Sequence, residues 1–144
     1  MVTKEFLAKA RSVLEEVLTK GNVDALDQID DPDVVVTMYP FPAMKGLPAV
    51  KQGFLGLKAG FSDVRITWEE MVSEGDSYAG RYVMRMKHTG SSPMFPIPPT
   101  GKEIVVPGCF FARVKNGKDV EVVHYHDNLG MLQQMGVIPA TGPK

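Results

Sequence analysis

The sequence has one cysteine, Cys109, so no disulfide can form within the chain. It also lacks any apolar run near the ~20 residues a membrane helix needs, and its first residues, MVTKEFLAKARSVLEE, are charged throughout instead of carrying an apolar signal segment. These absences predict a cytoplasmic protein without a membrane partner. Charge of one sign is missing as well: 16 Lys and Arg face 17 Asp and Glu, with no run of like charges. A polyanion footprint is therefore absent, and nucleic acid is not an expected partner. What is abundant is methionine, nine in 144 residues, a side chain that fills irregular space and adapts to varied ligands.

Length allows one core, so residues 1–144 are read as a single domain. Apolar residues at helical spacing predict a first helix from Thr3 to Thr19, ended by Gly21. A short second helix follows, capped by Asn22 and stopped before Pro32. Asp33 to Met38 reads as a strand. A third helix enters at Pro48 with Val50, Phe54, Leu57 and Phe61 along it. Its three glycines weaken it unless a neighbour approaches its backbone closely.

After Ser62 the period changes to two, which predicts a sheet. Its long strands are Tyr78–Thr89, Glu103–Val114 and Asp119–His126, the last pair joined by the hairpin signal Asn116-Gly117. The four prolines between Ser91 and Thr100 make a stiff loop, expected to form a rim over a pocket mouth. A last helix runs from Asn128 to Met135 with Asp127 as its cap. Helices, then a curved antiparallel meander, then a closing helix describe an α+β fold: a cone-shaped barrel wrapped around the N-terminal helices. A concave sheet closed by helices leaves an interior suited to a small apolar ligand.

Four stretches in order carry a family likeness: Gly21-Asn22-Val23-Asp24-Ala25-Leu26, then Gly46 to Phe54, then His88-Thr89-Gly90 with Ile97 to Lys102, then Asp127 to Gly136. Together they make the chain resemble the SnoaL-like polyketide cyclases and ester-cyclase-like proteins of the nuclear transport factor 2-like superfamily, with its cystatin-like cone. The resemblance implies ring closure by intramolecular aldol addition without metal or organic cofactor. It also implies a homodimer, formed through the sheet face that the helices leave open. The family's acidic proton carrier on the last strand falls at His124, and its histidine on the preceding strand falls at or near Phe110.

Strand alternation sets Val120, Val122, His124 and His126 on one face of the last strand, the pocket face by the family match. Imidazole titrates near neutral pH and suits proton transfer, so His124 is the expected catalytic base, with Tyr39 or His88 steadying an oxyanion. Trp68, Tyr82, Met84, Phe54, Phe110, Val122 and His126 are expected to bind substrate. His124 and His126 with His88 could hold a metal through three imidazoles, but no acidic ligand stands at a recognisable spacing, and no metal is expected. Arg81, Arg85 and Lys87 alternate with the apolar residues of their strand and are expected to face solvent. The expected function is thus a cofactor-free cyclase, isomerase or lyase acting on an apolar carbonyl compound. A non-catalytic binding module is the alternative, and epoxide hydrolysis a weaker one, since the Asp-Arg-Asp arrangement of that branch is not evident.

Overall fold

A computed structural model describes residues 1–139. The first helix, α1 (Lys4–Lys20), begins where Thr3 Oγ1 accepts the Phe6 N–H at 3.1 Å and ends at Gly21 in the left-handed region, φ 73°. Its buried stripe of Ala10, Val13, Leu14, Val17 and Leu18 is the one its spacing predicts. The second helix is a 3-10 turn over Val23–Gln28. Asn22 does not cap it through its side chain, which donates instead to Glu16 Oε1 at 3.4 Å.

The strand expected from Asp33 starts earlier, as β1 (Asp30–Met38), and runs through Pro32. A proline is tolerated there because the pairing register shifts between Asp30 and Val35, so no ladder bond is demanded of it. The stiff segment after β1 hides a two-residue strand, β2 (Met44–Lys45), paired with β1. Next comes α2 (Leu47–Lys58) with Pro48 in its first turn; Phe61, expected on the helix, instead opens β3 (Phe61–Glu74). Gly53 explains one weak point of α2: a Cβ there would run into the Met44 sulfur, so the glycine lets β2 lie against the helix.

The meander continues through β4 (Ser77–His88), β5 (Glu103–Lys115) and β6 (Lys118–His126) to α3 (Asn128–Gln134), where Asp127 Oδ1 accepts the Gly130 N–H at 2.9 Å. The β5–β6 turn places Asn116 and Gly117 both at positive φ, as a tight two-residue hairpin requires. The sheet order is β2-β1-β6-β5-β4-β3. It is curved but not closed into a barrel, and it is not wholly antiparallel, because β1 lies parallel to β6. That parallel pair is possible because the two strands lie at opposite ends of the chain, with the rest of the fold as their crossover. Helices α1 and α2 fill the concave side over the larger core, while α3 covers a second cluster of Phe61, Val64, Met86, Ile104, Val106, Met131 and Met135. Among the described residues no helix is long and apolar enough to cross a membrane.

At the end of the cone away from α3 lies a buried polar group. Asp30 and Asp119 are opposite one another where β1 meets β6, and Tyr78 Oη sits 2.9 and 2.8 Å from the two Asp119 carboxylate oxygens. Burial pushes Asp30 up to about 7 and Asp119 up to about 8, against opposing hydrogen bonds and, at Asp30, the nearby Lys118. The native state therefore holds protons that the unfolded chain releases near pH 4. The stability these groups contribute is complete below that pH and is lost as pH rises through about 7 to 8. We expect melting temperature to fall between about pH 5 and about pH 9, and Asp119→Asn, which keeps the bond to Tyr78, to melt above wild type at the upper end and to show a shallower pH dependence. Thermal unfolding across that range by circular dichroism checks this.

Candidate active site

Between α2, α3, the proline-rich loop and the concave sheet opens a cleft of about 600 Å³ up to its mouth. Its free volume as it stands is only about 40 Å³, well under the ~150 Å³ that admits a benzene into a dry cavity. How far the cleft can widen depends on the side chains of its wall. Met38, Met84, Met86, Met94 and Met131 line it, and unbranched thioether side chains can change rotamer at small cost to admit a ring. Phe41, Phe54, Phe61 and Phe95 supply flat apolar surface. The proline-rich loop reaches the cleft through Met94 and Phe95, and its root is pinned by Ser92 Oγ donating to the Gly56 carbonyl of α2.

The polar edge of the cleft is His126, at the end of β6. Tyr82 on β4, Gly108 on β5 and His126 on β6 stand opposite one another in a single cross-strand row. A Cβ at position 108 would come within 2.6 Å of His126 Cδ2. The glycine thus leaves the gap across which Tyr82 Oη meets His126 Nε2 at 2.8 Å. The same hydroxyl meets His124 Nδ1 at 3.2 Å, and the two imidazoles lie parallel, 5.9 Å apart.

One hydroxyl has one proton. It can donate to only one imidazole and must accept from the other, so the three side chains form a directional chain with two settings. In one, His126 Nε2–H donates to Tyr82, which donates to His124 Nδ1; His126 Nδ1 then offers a lone pair. In the other the direction reverses, and His126 Nδ1 carries a hydrogen. Among the described residues Nδ1 of His126 has no hydrogen-bond partner, so it is the nitrogen available to a molecule in the cleft. Burial lowers His126 to about 4; burial, and then the neighbouring His126, lower His124 to about 3. Burial also raises the Tyr82 phenol, so it stays protonated. All three groups are neutral at neutral pH.

The structure sorts the residues expected at the site. His124 is buried and borders a separate inner cavity of about 30 Å³, shared with Phe110, Val122, Asp30 and Asp119; Phe54 lines both spaces. Met84 and His126 are on the cleft wall, whereas Trp68 packs behind Tyr82 at 5.4 Å and donates its indole N–H to Glu15 Oε1 at 2.8 Å. Tyr39 lines the mouth, but its ring is half-exposed and meets Tyr125 at a tilt, centroids 5.3 Å apart. His88 is not brought to the other histidines. It belongs to the second core cluster's surroundings, against Phe61, with Nδ1 taking the Thr100 N–H at 3.3 Å and pairing with its hydroxyl at 3.1 Å, which ties down the far end of the proline-rich loop. Among the described residues no three His, Cys, Asp or Glu side chains gather as a metal would require.

Sequence reasoning missed the bridging role of Tyr82, the gap at Gly108 and the Asp30–Asp119 pair. A signal existed for Gly108, since glycine inside a strand marks close approach of another group. Alanine at that position should preserve the fold at a cost of about 1–3 kcal/mol from overpacking, while pushing the His126 ring off Tyr82. Nitrogen-15 imidazole spectra of Gly108→Ala should then show His126 shifted more than His124.

The SnoaL-like polyketide cyclase family matches residues 8–135. Among curated proteins no sequence matches this chain. Solved structures do. TsrD from Streptomyces laurentii superposes with a TM-score of 0.84 at 19% identity, over 96% of this chain and 100% of that one. IdmH from Streptomyces antibioticus, a candidate polyketide cyclase, gives 0.73 at 26% identity over 90% and 98%. A protein with a ketosteroid isomerase-like fold from Catenulispora acidiphila gives 0.75 at 18% over 98% and 99%. The chain belongs to the SnoaL-like polyketide cyclase family.

Proposed function

We propose that the protein is a cofactor-free acid–base enzyme acting on an apolar carbonyl compound by aldol chemistry of the polyketide cyclase type. The observation that carries this reading is His126 on an apolar cleft wall, its Nε2 held by Tyr82 and its Nδ1 unbonded. The base role expected of His124 passes to His126, because His124 borders the inner cavity. His124 becomes the positioning residue that fixes the direction of the Tyr82 hydroxyl. Tyr82, its one proton donated to His124, holds the His126 ring and does not take the oxyanion-steadying role expected of Tyr39 or His88.

In the first setting of the chain, His126 Nδ1 removes a proton from the carbon beside a carbonyl, and the bonding pair moves onto the carbonyl oxygen as an enolate. The enolate carbon attacks a second carbonyl of the same molecule, and His126 returns the proton to the alkoxide that forms. No electrons leave or enter. Burial makes an isolated imidazolium costly, so the charged ring is tolerable only beside the anion it has just created. Such a positioned base contributes roughly 10²–10⁴-fold.

With a 1,3-dicarbonyl substrate, kcat/KM should rise through about pH 4, the value burial gives His126, and stay level through neutrality, because the neutral ring is the active form. His126→Gln should lower kcat by about 10²-fold or more with ligand binding intact, and His124→Gln by less. Turnover of His126→Gln within a few-fold of wild type would remove His126 from the mechanism, and absence of turnover by wild type would shift the assignment to a non-catalytic binding module, a reading that the weak basicity of the buried rings favours.

The homodimer implied by the family resemblance has a candidate face. The convex side of the sheet exposes Val72, Val105, Phe111 and Tyr125 among the pairs Arg81–Glu69 and Arg113–Glu121, a mixture of both charges that suits a second copy of itself. Sedimentation equilibrium at micromolar protein should give about twice the 15.8 kDa chain mass; a clean monomer rejects the pairing.

A further inference from the structure

The cleft wall carries one charged side chain among the described residues, Lys58, in the last turn of α2. Its surroundings differ from those of other lysines nearby. Lys20 pairs with Glu16 at 3.2 Å, and Lys51 is shared by Asp24 and Asp27 at 3.0 and 2.8 Å. Lys58 has no carboxylate within ion-pair distance among the described residues. Its stem is nevertheless held: it runs past Gly21, where an added Cβ would come within 3.1 Å of Cδ and 3.2 Å of Cε. The left-handed glycine that ends α1 therefore also provides the track along which Lys58 lies, and part of the ordering cost of a long side chain is met before any ligand arrives.

Among the described residues no carboxylate lines the cleft to match a cationic ligand, and the remaining polar side chains are the Tyr39 phenol at the mouth, the neutral His126, and Asn128, whose Nδ2 is already donated to the Tyr39 carbonyl at 2.8 Å. We infer that the substrate is an apolar ring-bearing acid whose carboxylate pairs with Lys58 while its carbonyl-bearing part lies against His126. Resting on the proposed reading of the cleft, this assigns the substrate class and makes Lys58 a specificity-determining residue. In a wall so apolar, an anion gains from a single cation more than it would in water, because the local dielectric is lower. An anionic group at that end also fixes which carbon of a flexible chain meets His126 Nδ1.

A binding experiment separates this inference from the catalytic one. Naphthalene-2-carboxylate and naphthalene-2-carboxamide share shape and differ in charge, and both can be titrated against the full chain by calorimetry at low salt. Wild type should bind the carboxylate about five- to tenfold more tightly than the amide, a preference that shrinks as salt is added. Lys58→Met, which keeps the apolar stem, should bind both probes equally, with the amide affinity unchanged. His126→Gln should keep the full preference, so a failure of the catalytic reading leaves this result standing. Equal binding of the two probes by wild type, no binding of either, or a preference that survives in Lys58→Met overturns the proposal. In the last case Lys58 serves only as a favourable charge at the C-terminal end of α2.

Discussion

Everything at the site depends on a gap one side chain wide in the middle of the sheet. Tyr82 and His126 lie on strands that do not touch, with β5 between them, and they bond only because position 108 offers no Cβ. Register does the rest: the pairing that aligns Tyr82 with Gly108 and His126 in one row aligns Gly80 with Phe110 and His124 in another, two residues along each strand. A Cβ on Gly80 would come within 2.8 Å of the Phe110 ring, so a second glycine seats the aromatic that lies 5.6 Å from His124. Two glycines on adjacent strands thus shape the floor under two histidines. Because side chains alternate along a strand, a shift of one residue in β5 would put Gly108 and Phe110 on the wrong face and abolish the arrangement.

The interior this produces is divided. Phe54 stands between a methionine-rich cleft that reaches solvent and an inner cavity ending at two carboxyl groups, with His126 on one side and His124 on the other. Each buried polar group is answered by another: Tyr78 serves Asp119 and Tyr82 serves both histidines. Among the described residues no fully buried side-chain nitrogen or oxygen lacks a hydrogen-bond partner. A cone with so polar an interior folds because these bonds offset desolvation that would otherwise cost several kcal/mol per group.

How much of this was legible in the sequence depended on whether a signal was local. The stripe on α1, its glycine stop, the Asn116-Gly117 hairpin and the alternation on β4 that buries Tyr82, Met84, Met86 and His88 while exposing Arg81, Arg85 and Lys87 arise from spacing alone. The parallel pairing of β1 with β6 did not, since it joins residues some ninety positions apart through neither turn nor motif. Asp119 is expected only as the start of a strand and Asp30 carries no signal of its own, and only that long-range pairing makes them a buried couple. His88 misled for the same reason: its strand face was right, but β4 is long enough to carry it past the cleft to Thr100 at the far end of the proline-rich loop.

The histidines at the end of β6, where the family resemblance expects a carboxylic acid, have a physical logic that the carboxyl pair makes visible. Desolvation favours the neutral form of the two carboxyl groups and of the two imidazoles, but those neutral forms are not equivalent. Asp30 and Asp119 are driven up to about 7 and about 8, so a buried carboxyl here holds much of its proton near neutral pH, and the protonated form has no basic lone pair to take another from carbon. His124 and His126 are driven down to about 3 and about 4, and a neutral imidazole keeps a lone pair. In a site this dry, a carboxylate would need a partner cation to stay fully ionised at neutral pH, whereas an imidazole is in its unprotonated form without one and needs only a hydroxyl to hold its other nitrogen. Tyr82 is that hydroxyl, and it reaches both rings because Gly108 keeps clear of its path.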